Sequence, residues 1–162
     1  MDIKATPKMD IKKILWPTDF SSNSAQALPY VTSLTEKYNA EVHLLYVVED
    51  VRQFDHIYGD ANPQFLREFQ NKVIETGKQL QDKICELQFN SCPDYRKHIV
   101  VGEPAREILN LIEKENIDIV VMTTHGHGTE SEINKFHIGS VSEKVVKSSP
   151  VPVVTIDPFK KK

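Results

Sequence analysis

The chain has 162 residues, the usual size of one domain, and 40% of them are hydrophobic, which is enough to build one core. Its 20 Lys and Arg face 23 Asp and Glu, and the net charge of -3 argues against general binding of polyanions, so no nucleic-acid partner is expected. The longest apolar run, residues 44–48, is far short of the roughly 20 residues that a membrane helix needs, so no membrane partner is expected either.

The two ends of the chain are predicted to lie outside the folded domain. Residues 1–10 are polar, so we expect a flexible arm. Met1-Asp-Ile-Lys recurs at Met9, which indicates either an alternative start at Met9 or a coincidence. No apolar stretch opens the chain, which predicts the absence of a secretory signal and a cytoplasmic location. Residues 158–162 are expected to form a basic, solvated tail. Cys85 and Cys92 are expected to be ordinary reduced thiols.

Short β-rich runs alternate with longer helical periods along the rest of the chain. Helix one is predicted over residues 23–38, with a capping box at Asn23 and a kink at Pro29. Residues 49–63 are predicted to form a loop. Strands are predicted at 13–17, 41–48, 95–101, 117–122 and 151–156, with Pro152 marking the last one as an edge strand.

Three further helices follow from apolar spacing. The first is long and amphipathic, the second carries its apolar face on residues 105–112 and ends near Asn116, and the last opens at Gly139-Ser140 and stops at Pro150. The markers of the long helix are Phe65, Phe69, Val73, Leu80, Ile84 and Leu87, and the predicted inner face of the last helix is Val141, Val145 and Val146.

Five strands alternating with four helices predict an α/β fold: a single-domain, doubly wound, five-stranded parallel sheet with helices on both faces. Periodicity alone does not determine the strand order. In such sheets ligands bind beyond the carboxyl ends of the strands. The loops there carry Asp19, Gly102, Gly126 and the helix start at Gly139, which together suggest a cradle for phosphate and a carboxylate that accepts hydrogen bonds from a base or ribose. The residues alone leave a second interpretation open, in which Asp19 only caps helix one and the glycines only make turns.

Three short motifs resemble the universal stress protein family over residues 12–157, and the family domain is assigned to residues 11–157. They are Pro-Thr-Asp-Phe-Ser at 17–21, Val-Val-Gly-Glu-Pro at 100–104, and Thr-His-Gly at 124–126 followed by Gly-Ser-Val-Ser-Glu-Lys-Val at 139–145. The resemblance implies a strand order of 3-2-1-4-5 and a homodimer paired through the last strand. It also implies that ATP or AMP, with Mg²⁺ as a possible companion, binds where strands one and four meet.

The same resemblance assigns roles to individual residues. Asp19 and the backbone of Val47 would meet adenine, Gly102 and Thr123 would lie near base or ribose, and the glycines and serines of the last motif would meet phosphates. The full predicted nucleotide site is Pro17, Thr18, Asp19, Val47, Gly102, Met122, Thr123, His125, Gly126, Gly139, Ser140, Val141 and Ser142.

The glycine motif departs from the family pattern G-x2-G-x9-G-S/T at two places. Thr123 stands where the first glycine is expected, and twelve residues rather than nine separate Gly126 from Gly139. The longer segment, residues 127–137, is predicted to lie on the surface beside the mouth of the pocket. It is either a lid, whose Glu130 and Glu132 make triphosphate binding depend on magnesium, or a passive insertion that never touches the ligand.

Other chemistries fit the sequence less well. His125, His127 and His137 have poor spacing for a metal site, and neither a nucleophile elbow nor a Walker loop is present, so no metal site and no catalytic residues are expected. Two classes remain open: a regulatory dimer of the stress response that binds nucleotide and acts on an unknown protein partner, and a dimeric interaction module with a vestigial pocket. A slow ATPase is a weaker third.

Overall fold

A computed structural model describes residues 9–50, 62–88, 95–126 and 138–160. Five strands form one parallel sheet: β1 (Lys13–Pro17), β2 (Glu41–Val48), β3 (Tyr95–Val101), β4 (Ile119–Thr123) and β5 (Val153–Ile156). Their order is β3-β2-β1-β4-β5, which confirms both the predicted fold class and the order that the resemblance implied. The helices are α1 (Leu28–Tyr38), α2 (Pro63–Gln88), α3 (Pro104–Glu115) and α4 (Ser140–Ser148).

The sheet separates two hydrophobic cores because successive side chains of a strand point to opposite faces. Ile14 and Trp16 of β1 belong to the core that also holds Val31 of α1 and Cys85 of α2. Leu15, between them, belongs to the other core, which is built with the apolar residues of α3 and α4. Both faces of the central strands are therefore buried, as their continuous apolar sequences predicted.

Helix one differs from its prediction. The chain turns through a short 3-10 helix (Ser24–Ala27), and α1 begins only at Leu28, so Pro29 lies in the first turn, where its missing N–H costs no helical hydrogen bond. The predicted kink inside one long helix was therefore wrong. Asn23 makes no side-chain capping bond; its Nδ2 instead donates to the carbonyl oxygen of Gly126 at 3.1 Å. This bond joins the loop after β1 to the loop after β4.

The last two strands are shorter than predicted because neighbouring turns take up their first residues. Asn116 adopts a left-handed conformation and Ile117 N–H bonds the carbonyl of Ile112, so residue 117 completes the end of α3. At the start of β5, the N–H of Val151 donates to Ser149 Oγ and forms a turn.

Val146, predicted to face inward, is 44% exposed, whereas Val145 is fully buried.

Helix α2 is as long as predicted, but its apolar markers do not all face the sheet. Gly77, Gln81 and Cys85 are the buried residues of this helix. Gly77 is needed there because a Cβ would lie 2.6 Å from the ring of Tyr46. Four of the predicted markers are exposed: Phe65, Phe69, Leu80 and Leu87. Among the described residues, no helix combines the length and the apolar character needed to cross a membrane.

Candidate functional site

A cavity of about 510 Å³ opens at the carboxyl ends of the central strands. Strands β1 and β4 are neighbours there. After β1 the chain continues to β2 on one side of this pair, and after β4 it continues to β5 on the other side. The point where the strand order reverses in this way is the usual place for a ligand in a doubly wound sheet. The volume lies within the range of small-molecule sites. The lining residues are Pro17, Thr18, Asp19, Ser24, Leu45, Val47, Glu49, Pro104, Ile108, Met122, Thr123, Thr124, Gly126, Gly139, Ser140, Val141 and Ser142.

The loop after β1 holds Asp19 in a network of short hydrogen bonds. Asp19 Oδ1 accepts from the Ser21 N–H at 3.0 Å and from Ser21 Oγ at 2.6 Å. Thr18 Oγ1 lies 3.0 Å from Ser24 Oγ and accepts from the Phe20 N–H at 3.0 Å. Phe20 has a φ of 59°, an uncommon conformation for a bulky residue, and this network supports it. The Asp19 carboxylate is therefore held in one position rather than left free in solvent.

The loop after β4 passes directly against that carboxylate. A Cβ placed on Gly126 would lie 2.3 Å from Asp19 Oδ2, so no other residue fits at this position without movement of the loop or of Asp19. The sequence pattern identified both residues separately, and the structure brings them into contact.

Helix α4 begins at the wall of the cavity. The Gly139 N–H donates to the Thr124 carbonyl at 2.8 Å, and a Cβ on Gly139 would lie 2.9 Å from the same oxygen. The first amides of a helix have no partner within the helix, so the amides at the start of α4 are available to an anion. Ser140 and Val141, in the first turn, both line the cavity.

Two hydroxyl groups near this helix start are used by the protein itself. Thr123 Oγ1 donates to the carbonyl of His125 at 2.8 Å, and Ser142 Oγ donates to the carbonyl of Thr123 at 2.9 Å. Thr123, at the position where the family pattern has glycine, is buried. Its side chain thus organises the turn that follows β4, and a ligand there would meet a methyl-bearing side chain.

The charged side chains of the lining are acidic. Asp19 and Glu49 line the cavity, and no Lys, Arg or His is among the lining residues within the described ranges. Tyr46 lies close to both carboxylates: burial raises the pKa of its phenol, and the charges of Asp19 and Glu49 raise this pKa further. The site therefore offers neutral donors and two negative charges.

Eleven of the thirteen predicted site residues line the cavity, and Gly102 and His125 do not. The Gly102 N–H bonds the carbonyl of Val48, and a Cβ on Gly102 would meet the side chain of Glu107. His125 is buried beside Phe159, with ring centroids 5.1 Å apart, and its Nδ1 lies 2.9 Å from Thr124 Oγ1.

Six lining residues were absent from the predicted set: Ser24, Leu45, Glu49, Pro104, Ile108 and Thr124. Leu45 and Glu49 lie two residues before and two residues after Val47, and side chains two apart along a strand point to the same face. The alternation along β2 was therefore a usable signal for both residues. Residues 127–137 lie outside the described residues. The predicted lid, its magnesium dependence and two of the three histidines fall in this segment. Within those ranges, no group of three or more His, Cys, Asp or Glu could hold a metal ion.

Comparisons with known proteins identify relatives in sequence and in fold. The universal stress protein MJ0577 of Methanocaldococcus jannaschii is 32% identical over 155 residues, which span 90% of this chain and 94% of the relative. A solved structure of MJ0577 superposes with a TM-score of 0.78 at 33% identity, covering 94% of this chain and 99% of that one.

Two more distant structures share the fold and are complexes with nucleotides. A universal stress protein in complex with cAMP is 16% identical, with a TM-score of 0.56 over 92% of this chain and 98% of that one. A universal stress protein from Archaeoglobus fulgidus in complex with dAMP is 14% identical, with a TM-score of 0.59 over 93% of this chain and 100% of that one. The profile of the universal stress protein family matches residues 10–157. Because of this match, the shared fold and the sequence identity to MJ0577, the chain belongs to the universal stress protein family.

Proposed function

We propose that the chain binds an adenine nucleotide, ATP or AMP, and acts in the stress response as a regulatory homodimer without catalysis as its main role. The observation that carries this proposal is the convergence of Asp19, Gly126 and the start of α4 on one cavity of about 510 Å³. Asp19 supplies an acceptor, and the amides at the start of α4 supply donors to phosphate. The cAMP and dAMP complexes of two proteins with this fold support the choice of an adenine nucleotide.

Mass spectrometry of small molecules released from the purified, denatured protein tests this proposal first. Retained ATP or AMP is the expected result. Calorimetric titration with both nucleotides follows. The absence of both a heat signal and a thermal shift at millimolar nucleotide would exclude an adenine nucleotide as the ligand.

Gly139→Val tests the position of the site. The new Cβ would lie 2.9 Å from a backbone oxygen at the wall of the cavity, so we expect loss of nucleotide binding with an unchanged circular dichroism spectrum. Val146→Ser is the matched control, because Val146 lies on the same helix but is exposed and outside the lining. Unimpaired binding in Gly139→Val would place the ligand elsewhere.

The homodimer is proposed to form along β5, the edge strand at one end of the sheet. Val153, Val154 and Ile156 are only partly covered in the single chain, and an edge of this kind favours pairing. Light scattering should report about twice 18.5 kDa. Thr155→Asp would place like charges near a twofold axis and should give a monomer. Thr76→Asp, on the exposed side of α2, is the control and should leave the dimer intact. A wild-type protein that is monomeric at high concentration would contradict the proposal.

A second candidate function is a dimeric interaction module whose pocket holds no ligand. It is favoured by the buried Thr123 at the place of a family glycine and by the engagement of the Thr123 and Ser142 hydroxyls with backbone carbonyls. An empty protein that still dimerises in the experiments above would select this alternative.

A further inference from the structure

Helix α2 carries a second apolar stripe that the sheet does not cover. The residues that the sheet does cover recur every four positions, from Gly77 to Cys85. On another side of the helix, Phe69 is 50% exposed, Leu80 is 38% exposed and Leu87 is 68% exposed. This stripe spans roughly 27 Å of helix at about 1.5 Å per residue. Exposed apolar residues on a single chain are usually scattered, so an ordered row of this length indicates a contact surface.

The spacing of the stripe is that of a helix which pairs with another helix. From Phe69 onward, the positions along it alternate in steps of four and three residues, which is the heptad spacing of coiled coils. These positions, named the outer seam, are Phe69, Val73, Thr76, Leu80, Lys83 and Leu87. Val73 is half-buried, and the others are exposed. The pattern therefore favours a second helix as the occupant of the seam.

An antiparallel arrangement matches the outer seam to itself. In such a pair the first seam residue of one copy lies beside the last of the other, so Phe69 meets Leu87 and Val73 meets Lys83. The aliphatic stem of Lys83 can pack on a valine while its ammonium group reaches solvent. A parallel arrangement would instead place Lys83 beside Lys83 of the second copy, and like charges so close together repel. The seam therefore favours the antiparallel orientation.

The side chains that flank the outer seam are complementary in the same arrangement. On the side away from the sheet they are Lys72, Gln79 and Glu86, which are seven residues apart and exposed. Antiparallel pairing places Lys72 opposite Glu86 of the second copy, twice by symmetry, with the neutral Gln79 near the twofold axis. Within the described part of the chain, the ion pairs of α2 use other side chains. Lys72 and Glu86 are therefore available to a partner.

We propose that the outer seam of α2 is a self-association surface, on which a second copy of this chain docks its own α2 in antiparallel orientation. Because Gln81 of α2 bonds the backbone of β2 and β3, this helix lies over the end of the sheet opposite to β5. The seam thus differs from the edge proposed for the homodimer. About five turns of helix form a contact at the small end of specific interfaces, so we expect a dissociation constant of about 10 µM to 1 mM.

Sedimentation equilibrium of the full chain, from about 5 µM to 1 mM, tests this association. The Thr155→Asp variant is used first, because it should not pair along β5. Its apparent mass should rise with concentration from 18.5 kDa toward twice that value. If Thr155→Asp remains a dimer, the rise should begin from the dimer mass instead. A mass that does not change with concentration would overturn the proposal without bearing on the nucleotide site.

Charge exchange tests the register of the two helices. Lys72→Glu and Glu86→Lys should each weaken association at least about tenfold, because each replaces two attractive pairs by two repulsive ones. The double variant should restore wild-type association. Lys78→Glu is the matched control, since it makes the same charge change on the exposed surface of α2 away from the seam. Single variants that associate like the control, or a double variant that stays weak, would overturn the antiparallel pairing.

Two further variants test the apolar part of the seam. Leu87 is mostly exposed, so Leu87→Ser should leave the circular dichroism spectrum unchanged and still weaken association. Thr76→Asp should also weaken it, while pairing along β5 is retained, because the two surfaces are separate. Association that is unchanged in both variants would show that the copies meet at another surface, and would overturn the proposal.

Discussion

The stability of the fold should fall in mild acid because of a buried pair of histidines. His43 of β2 is fully buried, and its Nδ1 lies 3.0 Å from Nε2 of His98 on β3, with the two rings nearly parallel. Such a bond needs one donor and one acceptor, so both rings cannot be protonated while it persists. Burial lowers the pKa of His43 from 6.5 to about 4 and also lowers the pKa of His98.

The charged groups around the pair have mixed signs. Glu41 and Glu115 favour protonation of both histidines, Lys13 opposes it at His43, and Arg96 and Lys114 oppose it at His98. Glu41 Oε1 lies 3.6 Å from His43 Nε2 but also accepts a hydrogen bond from Arg96. Burial is the largest cause at both histidines and therefore determines the direction of both pKa shifts.

The sign and size of the effect follow from proton linkage. Between pH 6.5 and about 4, the unfolded chain binds a proton at His43 that the folded chain does not, so the free energy of unfolding decreases as the pH falls through this window. Each unit of pKa difference corresponds to about 1.4 kcal/mol. His43 alone should then cost about 2 kcal/mol between pH 7.5 and pH 5, a large fraction of the 5 to 15 kcal/mol typical of a domain.

Urea unfolding at a series of pH values from 7.5 to 5 measures this loss. The variant His43→Leu removes the titrating group from the core, so its free energy of unfolding should vary less with pH, whatever its absolute value. Staying above pH 5 keeps most carboxylates ionised in both proteins. A wild-type free energy that does not change over this range, or a His43→Leu variant with the full wild-type slope, would refute the reasoning.

Three further predictions concern α2. Gly77→Ala should destabilise the protein by about 1 to 3 kcal/mol in thermal denaturation although alanine favours helix, because its Cβ would lie 2.6 Å from the Tyr46 ring; a raised melting temperature would contradict this. Gln81→Leu should cost about 1 to 3 kcal/mol in urea unfolding, since the side-chain amide donates to two backbone carbonyls in the sheet; an unchanged midpoint would show that those carbonyls need no donor. Burial raises the pKa of the Cys85 thiol to about 11, so in a Cys92→Ser variant Cys85 should react with a thiol reagent at pH 8 only after unfolding, and rapid labelling of the native protein would be the contrary result.

Strand positions were predictable where a β-rich run is bounded by a local breaker or is itself continuously apolar. β1, β2 and β3 have the predicted bounds, because Pro17 and Gly102 mark where the first and third end and an apolar run spans the second. β4 and β5 were predicted two residues too long at their starts. Their first residues are apolar, yet they complete turns, because the left-handed conformation of Asn116 and the Ser149 side chain satisfy backbone groups that a strand would have paired.

The residues of the candidate site likewise include some that could be identified from sequence and some that could not. Asp19, Gly126 and Gly139 could be identified from sequence because each belongs to a short motif with its own backbone requirement. Ile108 could not, because it carries no local signal and its place in the lining depends on which strands and helices are neighbours.

By itself, then, the sequence determined the elements, the parallel α/β class and the residues that turn the chain at the ligand edge, since these follow from periodicity and from the conformational limits of glycine, proline and β-branched residues. Only the tertiary structure decided the contact of Asp19 with Gly126, the acidic character of the cavity and the bond between His43 and His98. These features join residues 30 to 107 positions apart. Such contacts depend on strand order and register, and those are set by the packing of the whole chain rather than by any local segment.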